Sequence, residues 1–451
     1  MSTLPLDGIR ILDSTYVFAL PYTGGHLTDL GAEVIKVEGP GRPDTTRTGG
    51  LYGSFPENEQ GEDWWNRPST YNLLNRGKRS LILDLSTERG RELFREMVNL
   101  SDVVMENFTP RVMRGWNLDY PNLKKIRPDI ILVSNTGYGH GDGPYSSYPA
   151  QATTQEGTHG HCWVTGYNGE GPSKAGRSFV DFLSTWTAVF AIGAALRYRA
   201  RTGKGQWIDI GMYQAGAMFL SEYIMDAITN GREGGRIGNR HPYRAPQGCY
   251  PASGTDQWLS LSVGSDEQWQ SLCGLMGREE LASEHRFADL ISRSRHHDEL
   301  DEIISDWTRS LDKYELMHLL QGRGIAAGPV LTGQDIHFDP HYQSRNFLER
   351  VAFPEERKIG TRLFMGRPYK YANTPLKIRK PAPAFGEDNE DLLMGLLGLG
   401  ADSYQRLVED AIISSVPLKG DVAPRIDPQE SVKQGLLGSW DPDYRDRLGI
   451  S

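Results

Sequence analysis

Through its first half the chain alternates short blocks of consecutive apolar residues with stretches whose apolar positions recur every third or fourth residue. Ile9–Leu12 and Val34–Val37 read as strands around a helix over Pro21–Leu30 that Gly31 closes. The alternation repeats with a strand ending at Leu85, a helix over Glu88–Asn99, and strands over Val103–Glu106 and Ile130–Ser134. This order predicts an α/β fold, with a doubly wound, mostly parallel sheet in a Rossmann-like large domain. Polar residues gather just past the strand ends, at Glu38, Asn107–Pro110 and Asn135–Gly139, where open sheets of this kind bind ligands.

After Arg177 the pattern changes. Phe182, Trp186, Val189, Gly193 and Leu196 predict a buried helix, with small residues where a neighbouring backbone approaches. Asp181 stands at its start. A carboxylate there is favoured by the helix dipole, and two roles are open to it: capping the helix, or remaining ionised as a nucleophile. The helix runs out at Thr202-Gly203-Lys204-Gly205-Gln206, which leads into a strand.

Earlier in the chain, residues 45–68 carry Trp64-Trp65 on what reads as a surface excursion; farther on, Gly231–Gly238 reads either as a mobile lid or as an idle loop. Elements to Leu320 suggest a smaller α+β domain, and Gly324–Val330 turns into a strand returning from it. Phe353–Pro375 has β character, and a last helix runs from Gly386 toward Leu397. The predicted division is 1–220 for the first part of the large domain, 221–330 for linker and small domain, 331–416 for the return, and 417–451 for a polar tail that wraps a partner subunit or frays.

Composition narrows the function classes. With 451 residues and 38% apolar content the chain can bury more than one core, and a net charge of −9 argues against nucleic acid as a partner. The start lacks the basic and apolar regions of a secretory leader, and no uncharged apolar run looks long enough to span a bilayer, so a cytoplasmic protein without a membrane partner is expected. The three cysteines, Cys162, Cys249 and Cys273, are too scattered for a redox pair and read as buried free thiols. His159-Gly-His161-Cys162 and His337-Phe-Asp339-Pro-His341 match no zinc framework, so no metal is expected. The first strand's turn, Thr15–Pro21, lacks Gly-x-Gly-x-x-Gly, which argues against a dinucleotide. Arg76, Lys78, Arg79, Arg111 and Arg114 form a basic cluster that either meets phosphates or is a solvated face.

Several separated motifs together resemble the family III CoA-transferases, the CaiB/BaiF group, from Leu6 to about Pro417. They are Leu6–Asp13, Asp29–Glu38, Gly77-Lys-Arg-Ser80, Glu106–Pro110, Gly137-Tyr-Gly139, Asp181 and Gly203-Lys-Gly-Gln206. The resemblance implies a CoA-transferase in which Asp181 attacks an acyl-CoA thioester, passing through an aspartyl anhydride and aspartyl-CoA. It also implies CoA held along Phe18, Ala19, Asn75, Lys78, Asn107, Phe108, Arg114, Thr136, Gly137 and Tyr138. No tightly bound cofactor is implied; coenzyme A enters as acyl-CoA substrate, with a small carboxylic acid as its partner and two chains interlocked as a homodimer.

The chain departs from formyl-CoA transferases at Phe18, Leu20, Thr136, Arg114 and Gly39, which makes formyl-CoA and oxalate poor candidate substrates. Racemases of the same family carry a histidine base about thirty residues before the aspartate; here that place is Gln151, which cannot exchange a proton at neutral pH. His159 and His161 lie near enough in sequence to keep a racemase as the alternative, and a silent CoA-binding protein is the other. Trp64, Trp65, Trp163, Tyr167 and Trp186 suggest either a roomy aromatic acyl pocket or core and interface positions.

Overall fold

A computed structural model describes residues 4–49, 55–176, 179–424 and 427–450. Arg177 and Ser178, which open the Asp181 motif, and residues 50–54 of the tryptophan-bearing loop lie outside them. The chain divides into two compact units: residues 1–159, 176–221 and 341–451 form the first, and residues 160–175 and 222–340 the second. The second therefore also draws on a stretch that the sequence suggested for the large domain.

The first unit is built on strands β1 (Arg10–Asp13), β2 (Glu33–Glu38), β3 (Arg79–Ile82), β4 (Val103–Glu106), β5 (Ile131–Thr136) and β6 (Trp207–Gly211). They pair in the order β3-β2-β1-β4-β5-β6, every pair parallel. The order reverses between β1 and β4, and in such sheets the crevice at that switch is where ligands sit. Side chains along each strand alternate between two buried faces. On one, Ile11, Val103, Met105, Ile131 and Val133 meet Leu20 and Leu27 of helix α1 (Ala19–Asp29); on the other, Leu12, Ile35, Val104 and Leu132 meet Leu93, Phe94 and Met97. The next α-helices, in chain order as far as Ala217, are α2 (Ser69–Leu74), α3 (Glu88–Asn99), α4 (Pro110–Gly115), α5 (Tyr120–Ile126), α6 (Ala152–Thr158), the four-residue α7 (His161–Val164) of the second unit, α8 (Phe179–Thr202) and α9 (Met212–Ala217).

By length and composition alone, α8 is apolar enough to cross a membrane, although Asp181 and Arg197 bound its uncharged run at Phe182–Leu196. Its Ala188, Ile192 and Ala195 pack on the sheet with Ile11, Val103 and Ile131, the position of a core helix. The buried stripe also differs from the one expected. Val180, Ser184, Thr185, Ala188, Ile192 and Ala195 are buried, whereas Gly193 is exposed and Phe182, Trp186, Val189 and Leu196 are half-buried. The helix is apolar nearly all round, so periodicity alone does not say which face meets the sheet.

The C-terminal part covers the β3 edge: Asp388 and Asn389 accept the Ser80 and Ile82 amides, and Ile412 accepts that of Asp84. The stretch with predicted β character is a hairpin, Leu348–Ala352 against Thr361–Met365, and stops there. The tail is tied down rather than structureless. Ala423 donates its amide to Thr48, Tyr444 bonds Glu57, and two short helices, Pro428–Lys433 and Tyr444–Leu448, form along it.

The second unit holds an antiparallel three-stranded sheet, Gln247–Pro251, Trp258–Ser262 and Ala326–Pro329, packed with helices Asp266–Met276, His297–Thr308 and Lys313–Gln321 around Trp269, Leu272 and Ile304. Its glycine-rich segment is stitched in place, with Gly238 donating to Gly166 and Trp163 donating to Gly234. All three cysteines are free thiols; only Cys273 is buried and Cys249 is exposed, a correction to the expectation for all three.

One buried group makes the fold sensitive to acid. His26 of α1 lies between Tyr22 and Trp186, its ring centroid 4.4 Å from each. Burial, reinforced by the Arg76 and Arg367 guanidiniums, holds its pKa well below the ordinary imidazole value. Below about pH 6.5 the unfolded chain therefore takes up a proton that the folded chain refuses, and stability falls as pH falls, by up to about 1.4 kcal/mol per pH unit. Denaturant midpoints of wild type and His26→Gln, measured from pH 7 to 5, should show a shallower fall in the variant.

Candidate active site

The carboxyl ends of β1 and β2 are floored by buried ion pairs. Lys36 meets Asp44 at 2.8 Å, Arg47 meets Glu38 at 2.8 Å, and Lys78 meets Asp13 at 2.6 Å, all six side chains closed to solvent. Such pairs add little net stability but fix geometry, because breaking one strands a buried charge. Burial pushes the Lys78 ammonium down to about 8 despite the Asp13 carboxylate. Burial also opposes the charge on Lys36, but Asp44, Glu38 and Asp13 outweigh it and raise its pKa. The result is a rigid platform that anchors both ends of the 45–68 loop: Thr46 and Arg47 at its start and Asn66 and Arg67 at its end are buried, and Arg47 donates to Asn66, so that segment is no mere surface excursion.

On this platform α1 begins, and the first turns of α8 are stitched to it. The Ala19 carbonyl accepts the Thr185 hydroxyl at 2.9 Å, and that hydroxyl also reaches the Asp181 carbonyl at 2.8 Å. The Phe182 ring lies 5.0 Å from Phe18 and 5.9 Å from Tyr22. Asp181, third residue of α8 and half-buried, is thereby held beside the residues that follow β1. Its own helix terminus favours a negative charge there.

The β5 end supplies the next wall. Thr136 is buried at the end of the strand, and the Gly137 carbonyl accepts the Tyr213 amide at 2.8 Å. A side chain at Gly137 would place its Cβ 2.1 Å from the Ala150 Cβ, so this close approach requires glycine. Tyr138 packs against Tyr145, Tyr148 and Tyr213. Behind them α6 turns Gln155, Glu156 and His159 inward: Glu156 Oε1 accepts the Phe179 amide at 3.2 Å, and the His159 ring lies against the backbone of Gly216. Neither Gln155 nor Glu156 was legible as a site residue, since both sit in a polar run that reads as surface.

The residues singled out from sequence fall into two sets. Phe18, Ala19, Phe108, Thr136, Gly137 and Tyr138 stand at or just past the ends of β1, β4 and β5, with Asp181 beside the first two. Asn75, Lys78 and Asn107 turn inward: Lys78 bonds Asp13 and Asn75, and Asn107 exchanges two hydrogen bonds with the Tyr16 backbone. The basic cluster does not gather as one phosphate site. Arg76 pairs with Asp29, Lys78 with Asp13, and Arg79 with Glu33 and Asp388; among the described residues only Arg111 and Arg114 of α4 make no ion pair. A buried or edge carboxylate stands beside each of the first three and claims it.

Gln151, in the racemase-base position, is an exposed cap at the start of α6. In the first unit Trp64 packs on Trp65, and Trp186 on His26 and Tyr369; in the second, Trp163 and Tyr167 are exposed. Among the described residues no group of three His, Cys, Asp or Glu is placed to hold a metal ion.

Compared with known proteins, residues 6–389 match the family described as CoA-transferase family III. The succinate–glutarate CoA-transferase of Agrobacterium fabrum is 35% identical over 393 residues, covering 87% of this chain and 96% of that one. The acetyl-CoA:oxalate CoA-transferase of Acetobacter aceti is 34% identical, covering 76% and 85%. A solved CAIB/BAIF family protein from Brucella suis superposes with a TM-score of 0.78 at 33% identity, covering 88% of this chain and all of that one.

Proposed function

Because the chain belongs to CoA-transferase family III and is an enzyme that transfers coenzyme A, we propose that Asp181 is its covalent nucleophile, acting between an acyl-CoA and a carboxylic acid. The observation that carries this reading is the stitching of the Asp181 turn to the start of α1, at the sheet's switch point. The Asp181 carboxylate oxygen adds to the thioester carbonyl, the C–S bond breaks, and CoA thiolate leaves a mixed anhydride. The thiolate attacks the aspartyl carbon of that anhydride; its C–O bond breaks, releasing the first acid and leaving aspartyl-CoA. An acceptor carboxylate displaces the thiolate again to form a second anhydride, and the thiolate takes the new acyl group, returning Asp181 as carboxylate. Every intermediate is open to hydrolysis, so the close packing around the Asp181 turn serves the chemistry by keeping water out.

CoA lies along Phe18, Ala19, Phe108, Thr136, Gly137 and Tyr138, with Arg114 available to a phosphate, while Asn75, Lys78 and Asn107 shape the floor from within. The relatives are named for short dicarboxylic acids, succinate, glutarate and oxalate, and succinate with glutarate is the first substrate pair to try. Oxalate ranks lower because of the departures at Phe18, Leu20 and Thr136. A homodimer is supported by the exposed apolar side chains of the first unit, Phe190 at 79%, Met218 at 73% and Phe219 at 60%. Cytoplasmic location is proposed on the sequence features alone. The test is incubation of succinyl-CoA with glutarate in deuterium oxide. Glutaryl-CoA without α-deuterium supports the transferase; α-deuterium without exchange of the acyl group would favour the racemase instead.

A further inference from the structure

A carboxylate with no solvent exposure is costly to keep in a protein interior, and Glu156 is such a group. It lies on α6, which packs against α8 and α9. Oε1 accepts the Phe179 amide at 3.2 Å, while among the described residues Oε2 has no hydrogen-bond partner. An unmet buried oxygen carries the full penalty of its lost hydration, so a position needing only volume would be better filled by an apolar side chain. The Phe179 amide is one of the four at a helix start that have no partner within the helix. Asp181 stands two residues farther along the same turn, so whatever steadies that amide also fixes where its carboxylate points.

We propose that Glu156 is a positioning residue for the transfer reaction, an acceptor brought in from α6 that holds the first turn of α8, and with it Asp181, in attacking geometry. This rests on the reading of Asp181 as nucleophile. Displacing a reacting group by an ångström can cost roughly a hundredfold in rate, so the effect falls on the covalent step rather than on binding. A glutamine keeps an acceptor oxygen in the Oε1 place and exchanges Oε2 for an uncharged amide NH2; an alanine removes the acceptor altogether.

The experiment follows acyl-CoA modification of Asp181 in a single turnover for wild type, Glu156→Ala and Glu156→Gln, with amide hydrogen exchange over the start of α8. Glu156→Ala should label about 30-fold more slowly, at an acyl-CoA concentration for half-maximal rate within about threefold of wild type, and should exchange faster over residues 179–182 only. Glu156→Gln should recover the rate to within about fivefold. Equal labelling of wild type and Glu156→Ala would overturn the proposal, as would a Glu156→Gln variant as slow as the alanine, which would make the charge rather than the acceptor the essential feature. Should Glu156→Ala not fold, the glutamine variant decides alone: a hundredfold loss overturns the proposal. A wild-type protein that never labels would instead remove the reading of Asp181, which keeps the two failures apart.

Discussion

Asp181→Ala is expected to lower CoA transfer by on the order of a thousandfold or more, because no neighbouring group can take over a covalent nucleophile. The fold should survive. The Asp181 contact with Thr185 runs through the backbone carbonyl, which alanine retains, and the rings of Phe182, Phe18 and Tyr22 remain in place. The expected loss is the favourable placement of a carboxylate at a helix start, about 0.3–1 kcal/mol, partly offset by alanine's helix propensity. Calorimetric titration with CoA should give a dissociation constant within about threefold of wild type. A large loss of CoA affinity together with activity would instead mean that Asp181 builds the site rather than reacting in it. Asp181→Asn is a poorer probe, since deamidation regenerates the carboxylate.

Gly205→Ala is expected to give the largest loss of stability, about 3 kcal/mol or more by urea unfolding. The helix α8 ends at Gly203, whose φ of +68° and amide bond to the Arg199 carbonyl turn the chain out of the helix. Two residues on, a methyl group at Gly205 would stand 2.0 Å from the Ile130 oxygen and 2.4 Å from the Asp129 carbonyl carbon. Both are backbone atoms at the entry to β5, and Gln206 immediately accepts the Leu132 amide, so β5 cannot retreat without losing its pairing with β6. Gly274→Ala is the control. That glycine lies in an exposed helical position with nothing within 4 Å of its Cβ, and its substitution should stabilise slightly.

These two residues mark what a single sequence discloses. The Gly203-Lys-Gly-Gln206 motif and the carboxylate ahead of an apolar helix were visible as local patterns, and local chemistry explains both: a left-handed turn, a close backbone approach, a charge at a helix start. The boundaries of α3 and β4 were equally legible, because amphipathic and fully apolar periods are local properties. The strand order was not, since it depends on pairings between distant segments. The face of α8 was misjudged because Phe182 and Trp186 pack toward α1, leaving Ala188, Ile192 and Ala195 to meet the sheet.

The ion pairs escaped for a related reason. Lys36 and Glu38 stand on β2, Asp44 and Arg47 beyond it, and no local pattern pairs Lys36 with Asp44 or Glu38 with Arg47; those contacts form only when the chain folds back over the strand. The same blindness covered Glu156, whose partner amide lies across the α6–α8 contact.

The most direct measurement is mass analysis of the peptide carrying Asp181 after the protein is mixed with succinyl-CoA and quenched with hydroxylamine. Conversion of Asp181 to its hydroxamate, dependent on the thioester and absent from Asp181→Ala, is the predicted result. Active protein that transfers CoA at the same rate while this peptide stays unmodified at every quench time would contradict the covalent role of Asp181.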